Sequence, residues 1–448
     1  MDKLLREILE KITPSEEEHR RENKLVDGIV KRLKKFGVKP ILVGSLAKGT
    51  DVRDDKDIDI FIMFPKEVSR GELEKNGLEI GKKIFKELKI EYEIDYAEHP
   101  YVSGFYKKYR IEIVPCYETK EPKSAVDRTP YHTQYVKRKL MRTPGLRDEI
   151  RILKQFMKGI NVYGAEAKIQ GFSGYLAELL CINYGSFVDV LKAAREWNFG
   201  EAIDPGDLWK DKGALKYFFT DANLIIVDAV DKNRNAAAAV SRQKLAEFIV
   251  ASVEFLKSPQ KEFFFPKEEQ LLDEKELLNR MKARGTMLIA MKFVHERINP
   301  NTLYSQLRKT RRAIKKSIEE FGFKILKSDF WTDEVSNSVI LLDLEVFSLP
   351  DIKHHLGPPI DKAPLEQENF LEKYRKYKPY IKEGRWVVDT KRKFTGIEGV
   401  IPLILEEKQG FGKNLRGVKE IKILKGKAVL KIKDKDFLKT MNKFLTPL

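Results

Sequence analysis

The sequence predicts an α+β protein that is divided into several domains. Three observations favour this fold class. The chain has 448 residues, strand-like segments occur near residues 41–117 and again near 287–347, and the interval between them has mostly helical periodicity. A single hydrophobic core stops growing at about 250–300 residues, so a chain of this length separates into domains, and two to four are expected.

Composition and charge narrow the functional class. Hydrophobic residues make up 42% of the chain and charged residues 34%, and the formal net charge is +17. Such an excess of cations favours a polyanionic partner, because neutralising phosphates releases counterions, although solubility alone is the simpler explanation. The two cysteines fit no disulfide framework or metal-ligand spacing, which predicts a cytoplasmic location. No apolar run approaches the ~20 residues of a membrane span, so no membrane association is expected.

The stretch from Ile41 to Phe64 carries the most informative pattern. A short apolar strand ends at Gly44 and Ser45, a polar turn with Lys48 follows, and a second strand begins near residue 57. Because side chains alternate along a strand, Asp57 and Asp59 should share one face, while the isoleucines beside them share the other.

The neighbouring segments predict a small α/β domain around this stretch. A capping box at Thr13–Glu16 should begin a helix that ends near residue 37 and packs on the sheet. A helix is expected at about 70–88 and strands near 90–97 and 110–117. Glu112 should then face away from Ile111 and Ile113. Any one such carboxylate is most simply a solvent-facing residue, but the spacing of the set favours a site.

Three carboxylates on adjacent strands can bind two divalent cations. One cation would lower the pKa of an attacking hydroxyl, and the other would neutralise a triphosphate and its pyrophosphate leaving group. Mg²⁺ is the expected cation because it takes oxygen ligands and retains water and phosphate oxygens. The Gly44-Ser45 turn lets backbone amides approach phosphate, and Lys48 can reach the same group. Since the chain has no Walker A or protein-kinase motif, nucleotidyl transfer is favoured over NTP hydrolysis.

Beyond the first domain, the sequence first has helical periodicity and then becomes strongly basic. His132 lies in a polar segment, helices follow from about residue 145, and Arg234 ends a strand-like run before a helix expected to start at Asn235. A lone histidine is most simply explained as a structural or exposed residue. An arginine at a helix start directs its guanidinium away from the core, and a surface position explains Arg234 as well as a functional one. A boundary is expected near 257–268. After it, a βαββ order with a basic helix at 302–320 favours an RNA-contacting module, and residues 350–364 are expected to form a proline-rich linker.

Seven motifs together resemble a known family. Gly44-Ser45 with Asp57-Ile58-Asp59 resembles the signature of the DNA polymerase β-like nucleotidyltransferases, and the fuller set resembles the archaeal, class I CCA-adding enzymes over essentially the whole chain. The motifs are GSLAKGT, DIDIF, IEIVPCY, SAVDRTPYHT, LKQFMKGINVYGAE, GFSGYLAELL and VDAVDKNRNAAAAVS.

The resemblance implies template-independent addition of C, C and A to the 3′ end of tRNA from CTP and ATP, with Mg²⁺ as cofactor. It implies a polymerase β-like catalytic head at 1–142, a helical neck for base recognition at 143–258, and an α/β body and tail at 259–448. The body and tail would bind the acceptor stem and TΨC region of tRNA, and family analogy adds a homodimer. The implied metal ligands are Asp57, Asp59 and Glu112, and the implied nucleotide-binding residues are Gly44, Ser45, Lys48, His132, Lys154, Tyr163 and Arg234.

Arg234 is the residue implied to choose the base. A fixed guanidinium fork can donate to O2 and N3 of cytosine or to N1 of adenine, and it disfavours a base that presents donors there. Two positions depart from the family pattern: Glu112 stands where Asp is expected, and Lys48 where Arg is common. Glutamate is one methylene longer but still ligates a metal, so we expect activity with slightly altered geometry.

Two other functions remain open at this stage. The head motifs alone do not exclude another template-independent RNA nucleotidyltransferase, such as a poly(A) polymerase. A non-catalytic RNA-binding protein with a decayed head is a further alternative, which the intact carboxylates at 57, 59 and 112 disfavour.

Overall fold

A computed structural model describes residues 1–53, 57–119, 124–267 and 271–446. The chain forms two compact units, Met1–Glu268 and Glu269–Leu448. None of the helices in the described ranges is long and apolar enough to span a membrane.

The first unit contains a five-stranded sheet, a smaller three-stranded sheet and a group of helices. Its strands are β1 (Lys39–Leu42), β2 (Asp57–Pro65), β3 (Tyr92–Tyr96), β4 (Pro100–Tyr106), β5 (Tyr109–Glu118), β6 (Glu201–Ile203), β7 (Leu224–Asp228) and β8 (Asp231–Asn235). Its helices are α1 (Asp2–Ile12), α2 (Glu16–Lys34), α3 (Gly44–Lys48), α4 (Arg70–Glu87), α5 (Ala125–Arg142), α6 (Leu146–Gly159), α7 (Gly174–Tyr184), α8 (Phe187–Ala194), α9 (Leu215–Phe218) and α10 (Arg242–Lys257).

The five-stranded sheet has the order β1-β2-β5-β4-β3, and β2 and β5 pair in parallel. Helices α2 and α4 cover one face, as predicted for α2, and their apolar side chains share a core with Ile58, Ile60 and Ile111. Strand β4 was not predicted, because Pro100 and Gly104 interrupt its alternation. Gly104 is needed there: a Cβ would lie 2.4 Å from the backbone oxygen of Glu91.

The predicted capping box is displaced by two residues. Helix α1 extends to Ile12, and the Thr13 hydroxyl donates to the Leu9 carbonyl at its end. Ser15 is therefore the N-cap of α2: its hydroxyl accepts from the Glu18 amide, while the Glu18 carboxylate accepts from the Ser15 amide. The reciprocal pair satisfies two of the backbone donors that a helix start leaves open.

The sequence pattern assigned no structure to one segment in this unit, and one further prediction was wrong. The unassigned polar segment around His132 is helix α5, capped by Ser124. The helix expected at Asn235 begins instead at Arg242, after Ser241 as N-cap. Asn235 ends β8, and its side chain accepts from the Ile226 amide and donates to the Leu224 carbonyl. This side-chain bonding fixes a β7–β8 hairpin where alanine content alone favours a helix.

The second unit contains a four-stranded antiparallel sheet of order β10-β11-β9-β15 and a three-stranded sheet of order β12-β14-β13. Its strands are β9 (Met287–Val294), β10 (Lys324–Thr332), β11 (Asn337–Val346), β12 (Ile352–Pro359), β13 (Tyr380–Lys382), β14 (Arg385–Lys391) and β15 (Ile421–Lys425). Its helices are α11 (Glu274–Ala283), α12 (Pro300–Glu320), α13 (Pro364–Tyr374), α14 (Ile397–Glu407) and α15 (Lys435–Leu445).

The predicted βαββ order is confirmed as β9-α12-β10-β11. The expected linker at 350–364 was wrong, since most of it is β12, which pairs antiparallel with β14. Pro358 and Pro359 stand at the end of that strand, where the register shifts between Leu356 and Pro359. The regular pairing of residues 352–356 with β14 is therefore complete before the prolines, which lack a backbone N–H.

Candidate active site

The three predicted carboxylates lie on adjacent parallel strands. Asp59 of β2 stands directly opposite Glu112 of β5, and Asp57 stands opposite Arg110. Ile58, Ile60 and the isoleucines of β5 are buried on the other face, so the predicted alternation is confirmed. The sheet therefore collects Asp57, Asp59 and Glu112 on one face, near the amino-terminal ends of both strands.

Gly44 is fitted closely against Asp59. The Val43 amide donates to the Asp59 carbonyl at 2.9 Å, and the chain then leaves the sheet through Gly44 with φ +74°. A Cβ at Gly44 would lie 1.9 Å from Oδ2 of Asp59. Only glycine combines this backbone angle with such an approach. Residues 44–48 form helix α3 where a turn was predicted, and Gly49 ends it in the left-handed conformation.

Electrostatics in this group favour a bound cation. Burial, followed by the nearby charges of Asp59 and Asp57, raises the pKa of Glu112 to about 7, although Arg110 opposes the shift. The Arg110 guanidinium lies 3.2 Å from Glu112 and 2.9 Å from Asp95. Three close carboxylates repel one another, and a divalent cation with oxygen ligands would relieve that repulsion. The donor set thus fits a divalent metal.

The raised pKa of Glu112 predicts a pH-dependent stability of the metal-free protein. The folded chain holds a proton on Glu112 that the unfolded chain releases above about pH 4.5. This contribution is complete below pH 4.5 and is lost as the pH rises through about 7. It amounts to at most roughly 3 kcal/mol. With EDTA present, denaturant unfolding should show a larger stability loss between pH 4.5 and 8 in the unaltered chain than in Glu112→Gln. If the two proteins lost the same stability between pH 4.5 and 8, Glu112 would not be the source of the pH dependence.

A second group is built around Glu178 of α7, which is completely buried. Its carboxylate accepts from Lys48 of α3 at 2.6 Å, from the Thr50 hydroxyl at 2.7 Å and from Lys154 of α6 at 3.3 Å. Burial alone would raise the pKa of Glu178, but the two ammonium groups outweigh it and lower that pKa. The Tyr163 hydroxyl lies near this group: an atom at the Cβ position of Gly174 would be 2.8 Å from the hydroxyl and 3.7 Å from Nζ of Lys154.

A third group is built around Asp228 at the end of β7. This buried carboxylate interacts with His132 Nε2 at 2.9 Å and accepts from Tyr175 at 3.1 Å and Arg234 at 2.5 Å. Burial opposes its ionisation, but the hydrogen bond and charge of His132, with Arg234, lower the pKa of Asp228 to about 2. The rings of His132 and Tyr175 stack with centroids 4.0 Å apart. Burial lowers the pKa of His132 despite Asp228.

The position of Arg234 corrects one expectation. The sequence pattern placed it at a helix start with its guanidinium directed away from the core. It lies instead on β8, and Nη1 binds the buried Asp228. Asp228, on the neighbouring strand of the hairpin, therefore orients this guanidinium. About one-third of the Arg234 side chain remains exposed and is accessible to another group.

The structure links the three groups through shared helices. Gly44, Ser45 and Lys48 belong to α3, which connects the strand carboxylates to Glu178. Tyr175 and Glu178 are three residues apart on α7, and this spacing places them on one side of the helix. Lys48 and His132 also interact electrostatically. The ten predicted residues thus lie in or beside these three groups, Ser45 by its position next to Gly44 on α3, and their roles in binding remain predictions.

Three residues in these groups were missed from the sequence. Glu178 and Asp228 orient four of the predicted side chains, and Tyr175 completes the set around Asp228. A signal was available for two of them, since each carboxylate sits in or ends an apolar run (YLAELL, LIIVD). A carboxylate in such a run is rarely buried without a partner.

The chain was compared with known families and proteins. Residues 24–135 match the nucleotidyltransferase domain, residues 148–265 the second domain of tRNA nucleotidyltransferase, and residues 284–426 the C-terminal domain of the CCA-adding enzyme. The CCA-adding enzyme of Archaeoglobus fulgidus is 37% identical and aligns over 88% of this chain and 87% of its own length. That of Methanothermobacter thermautotrophicus is 35% identical over 98% and 97%.

A solved structure shows a more distant likeness. The Cid1 poly(U) polymerase aligns with 58% of this chain and 95% of its own at 14% identity and a TM-score of 0.47, which is too low to carry an argument. The family matches and the sheets instead establish an α+β multidomain protein with a nucleotidyltransferase domain over residues 24–135. With relatives above one-third identity over most of its length, this chain belongs to the CCA-adding enzyme family and is a nucleotidyltransferase.

Proposed function

We propose that this protein adds C, C and A in turn to the 3′ end of tRNA, using CTP and ATP without a nucleic-acid template and releasing pyrophosphate. The observation that carries the proposal is the parallel pairing of Asp59 with Glu112 beside Asp57, with Gly44 against the Asp59 carboxylate. In a chain of this family, that arrangement is suited to holding cations where a triphosphate reacts.

The proposed cofactor is Mg²⁺, with Asp57, Asp59 and Glu112 as its protein ligands. When bound, Mg²⁺ would neutralise the triphosphate and lower the pKa of the 3′ hydroxyl. Arg110 holds Glu112 in place within the sheet, and Gly44, which has no Cβ, leaves room for the Asp59 carboxylate itself. The carboxylates repel each other without a cation, so they favour its binding.

The other predicted residues would position the nucleotide. Ser45 offers a hydroxyl at the start of α3, and Lys48, Lys154 and Tyr163 offer cationic and hydroxyl donors around Glu178. Because Glu178 holds both ammonium groups in fixed positions, little side-chain entropy is lost when phosphate binds near them. His132 would contact the nucleotide from its position against Tyr175 and Asp228.

Base selection is proposed to depend on Arg234. Its bond to Asp228 leaves other guanidinium N–H groups for the base edge, where cytosine and adenine present acceptors. Asp228 is then a positioning residue, because it fixes the guanidinium through Nη1 and does not itself need to contact the base. This arrangement explains how one side chain admits two different bases.

Replacing Arg234 by alanine should weaken the choice of nucleotide more than the chemistry. We expect the preference for CTP and ATP over UTP and GTP to fall by roughly 10- to 100-fold, the range for one lost recognition contact. Single-nucleotide kcat/KM values on tRNA lacking CCA measure this. Replacing the exposed Arg195 serves as the matched control. Unchanged preference in Arg234→Ala would assign base selection elsewhere.

The chain is proposed to divide into a head at 1–142, a neck at 143–258 and a body and tail at 259–448. The body and tail would bind the acceptor stem and TΨC region. In this part of the chain, Arg308 and Arg311 of α12 both lie 5.8 Å from the centre of the Phe330 ring, a pairing of cations and aromatic rings suited to RNA. A homodimer and a cytoplasmic location complete the proposal; the two buried, unpaired cysteines suit a reducing compartment.

The proposed reaction is tested by its stoichiometry. Purified protein with tRNA ending just before CCA, CTP and Mg²⁺ should release one pyrophosphate for each cytidine incorporated, and adding ATP should extend the product by one adenosine. EDTA should stop the reaction. Nucleotide hydrolysis without extension of tRNA would contradict the assignment.

A further inference from the structure

A group of possible metal ligands lies apart from the strand carboxylates. His19 and Glu22 are three residues apart on α2, and Asp51 follows α3 in the loop that leads toward β2. One ligand atom from each lies within 4.8 Å of the other two. Within the described ranges, this is the group of three possible ligands whose atoms meet that 4.8 Å limit. The carboxylates of Asp57, Asp59 and Glu112 do not meet it.

Burial makes this arrangement costly without a cation. Glu22 is 4% exposed and Asp51 is 3% exposed, so two carboxylates are enclosed side by side. The imidazole Nδ1 of His19 lies 3.5 Å from Glu22. Oδ1 of Asp51 is enclosed and has no hydrogen-bond partner among the residues that the structure describes. Burying a carboxylate oxygen without a hydrogen-bond donor destabilises the folded state, and a cation bound to that oxygen would offset the loss of stability.

The surrounding backbone holds the three side chains in place. The Asp51 carbonyl accepts from Arg151 Nε at 3.0 Å, and the amide of Arg53, two residues on, donates to the Ile12 carbonyl. Thr50, on the other side, is bonded to Glu178. The loop is therefore anchored on both sides of Asp51, while His19 and Glu22 sit on one side of a capped helix. Such pre-organisation is what a cation site requires.

We propose that His19, Glu22 and Asp51 bind a divalent transition-metal cation of the zinc class, at a site separate from the catalytic Mg²⁺. One imidazole nitrogen with two carboxylate oxygens suits Zn²⁺, which water would complete to four ligands, whereas Mg²⁺ prefers an all-oxygen shell. The cation would fasten α2 to the loop that enters the strand of Asp57 and Asp59. It would thereby stabilise the head without taking part in nucleotidyl transfer.

The test is zinc binding to the full-length, tag-free chain carrying Asp57→Asn and Asp59→Asn, which disable the catalytic metal site. Calorimetry should show one high-affinity zinc equivalent in this background, unaffected by excess Mg²⁺. Adding Asp51→Asn or the milder His19→Gln should remove that equivalent or weaken it by about tenfold or more. Zinc should also raise the melting temperature of the background protein, and this rise should disappear in both additional variants.

Asp204→Asn is the matched control. Asp204 is also buried, and within the described part of the chain one of its carboxylate oxygens likewise has no hydrogen-bond partner, but it belongs to no such group there. It should keep the zinc equivalent. His19 is partly exposed on the helix, so His19→Gln keeps the test valid should Asp51→Asn fail to fold. Absence of the zinc equivalent from the background, or its persistence in His19→Gln, would overturn the proposal. Displacement of zinc by Mg²⁺ would overturn the assigned metal class.

Discussion

Replacing Asp59 by alanine should reduce nucleotide addition by about 10³-fold or more while tRNA binding survives. The reduction corresponds to roughly 4 kcal/mol, in the range that a metal contributes to transition-state charge stabilisation. Asp59 faces Glu112 across β2 and β5, so its loss removes a central ligand of the proposed metal site. Binding of tRNA should survive because the cations proposed to bind it lie elsewhere in the chain. Single-turnover addition of CMP and filter binding of tRNA measure the two effects.

Glu118→Gln is the matched control for Asp59→Ala. Glu118 is a carboxylate at the other end of β5, where it pairs with Lys39 at the surface. Its replacement should leave addition within about twofold, since surface ion pairs contribute little. An Asp59→Ala protein with near-normal turnover would show that the metal ligands have been wrongly assigned.

Replacing Glu178 by alanine should cost about 3–5 kcal/mol of folding free energy, the loss expected when one partner of a buried ion pair is removed. Lys48 and Lys154 would be left as enclosed ammonium groups without their carboxylate. Denaturant unfolding of Glu178→Ala, compared with the exposed Glu196→Ala, measures the difference. The control should change stability by about 0.5 kcal/mol or less.

A second variant at the same position distinguishes a structural role of Glu178 from a role in nucleotide binding. If Glu178 positions both lysines, Glu178→Gln, which retains hydrogen-bond acceptors, should recover part of the stability but still raise KM for CTP. A Glu178→Ala protein destabilised by less than about 1 kcal/mol would mean that Lys48 and Lys154 find other partners or water.

The sequence predicted best where one physical signal dominated. Alternation along β2 and β5 was enough to place Asp57, Asp59 and Glu112 on one face, because apolar residues had to fill the other. Prediction from the sequence failed where side-chain hydrogen bonds, or residues such as glycine and proline, opposed the structure that hydrophobic periodicity favours. The side chain of Asn235 stabilises a hairpin next to four alanines whose composition favours a helix. Gly104 interrupts the alternation of β4, although that strand requires a glycine at this position.

Contacts between distant segments account for what the sequence missed at the site. Asp228 and His132 are 96 residues apart, and Lys48 and Glu178 are separated by 130. No local pattern specifies which carboxylate meets which cation. The family resemblance supplied His132, Lys154 and Arg234 by their motifs, whereas the partners that orient them emerged only from the fold.

The most direct test of the account is the sequence of the product's 3′ end. Purified protein is incubated with Mg²⁺, all four nucleoside triphosphates and tRNA that ends just before CCA, and the termini are then sequenced. We expect CCA and no further extension, with UMP and GMP absent. Long adenosine runs, or uridine at the added positions, would contradict it.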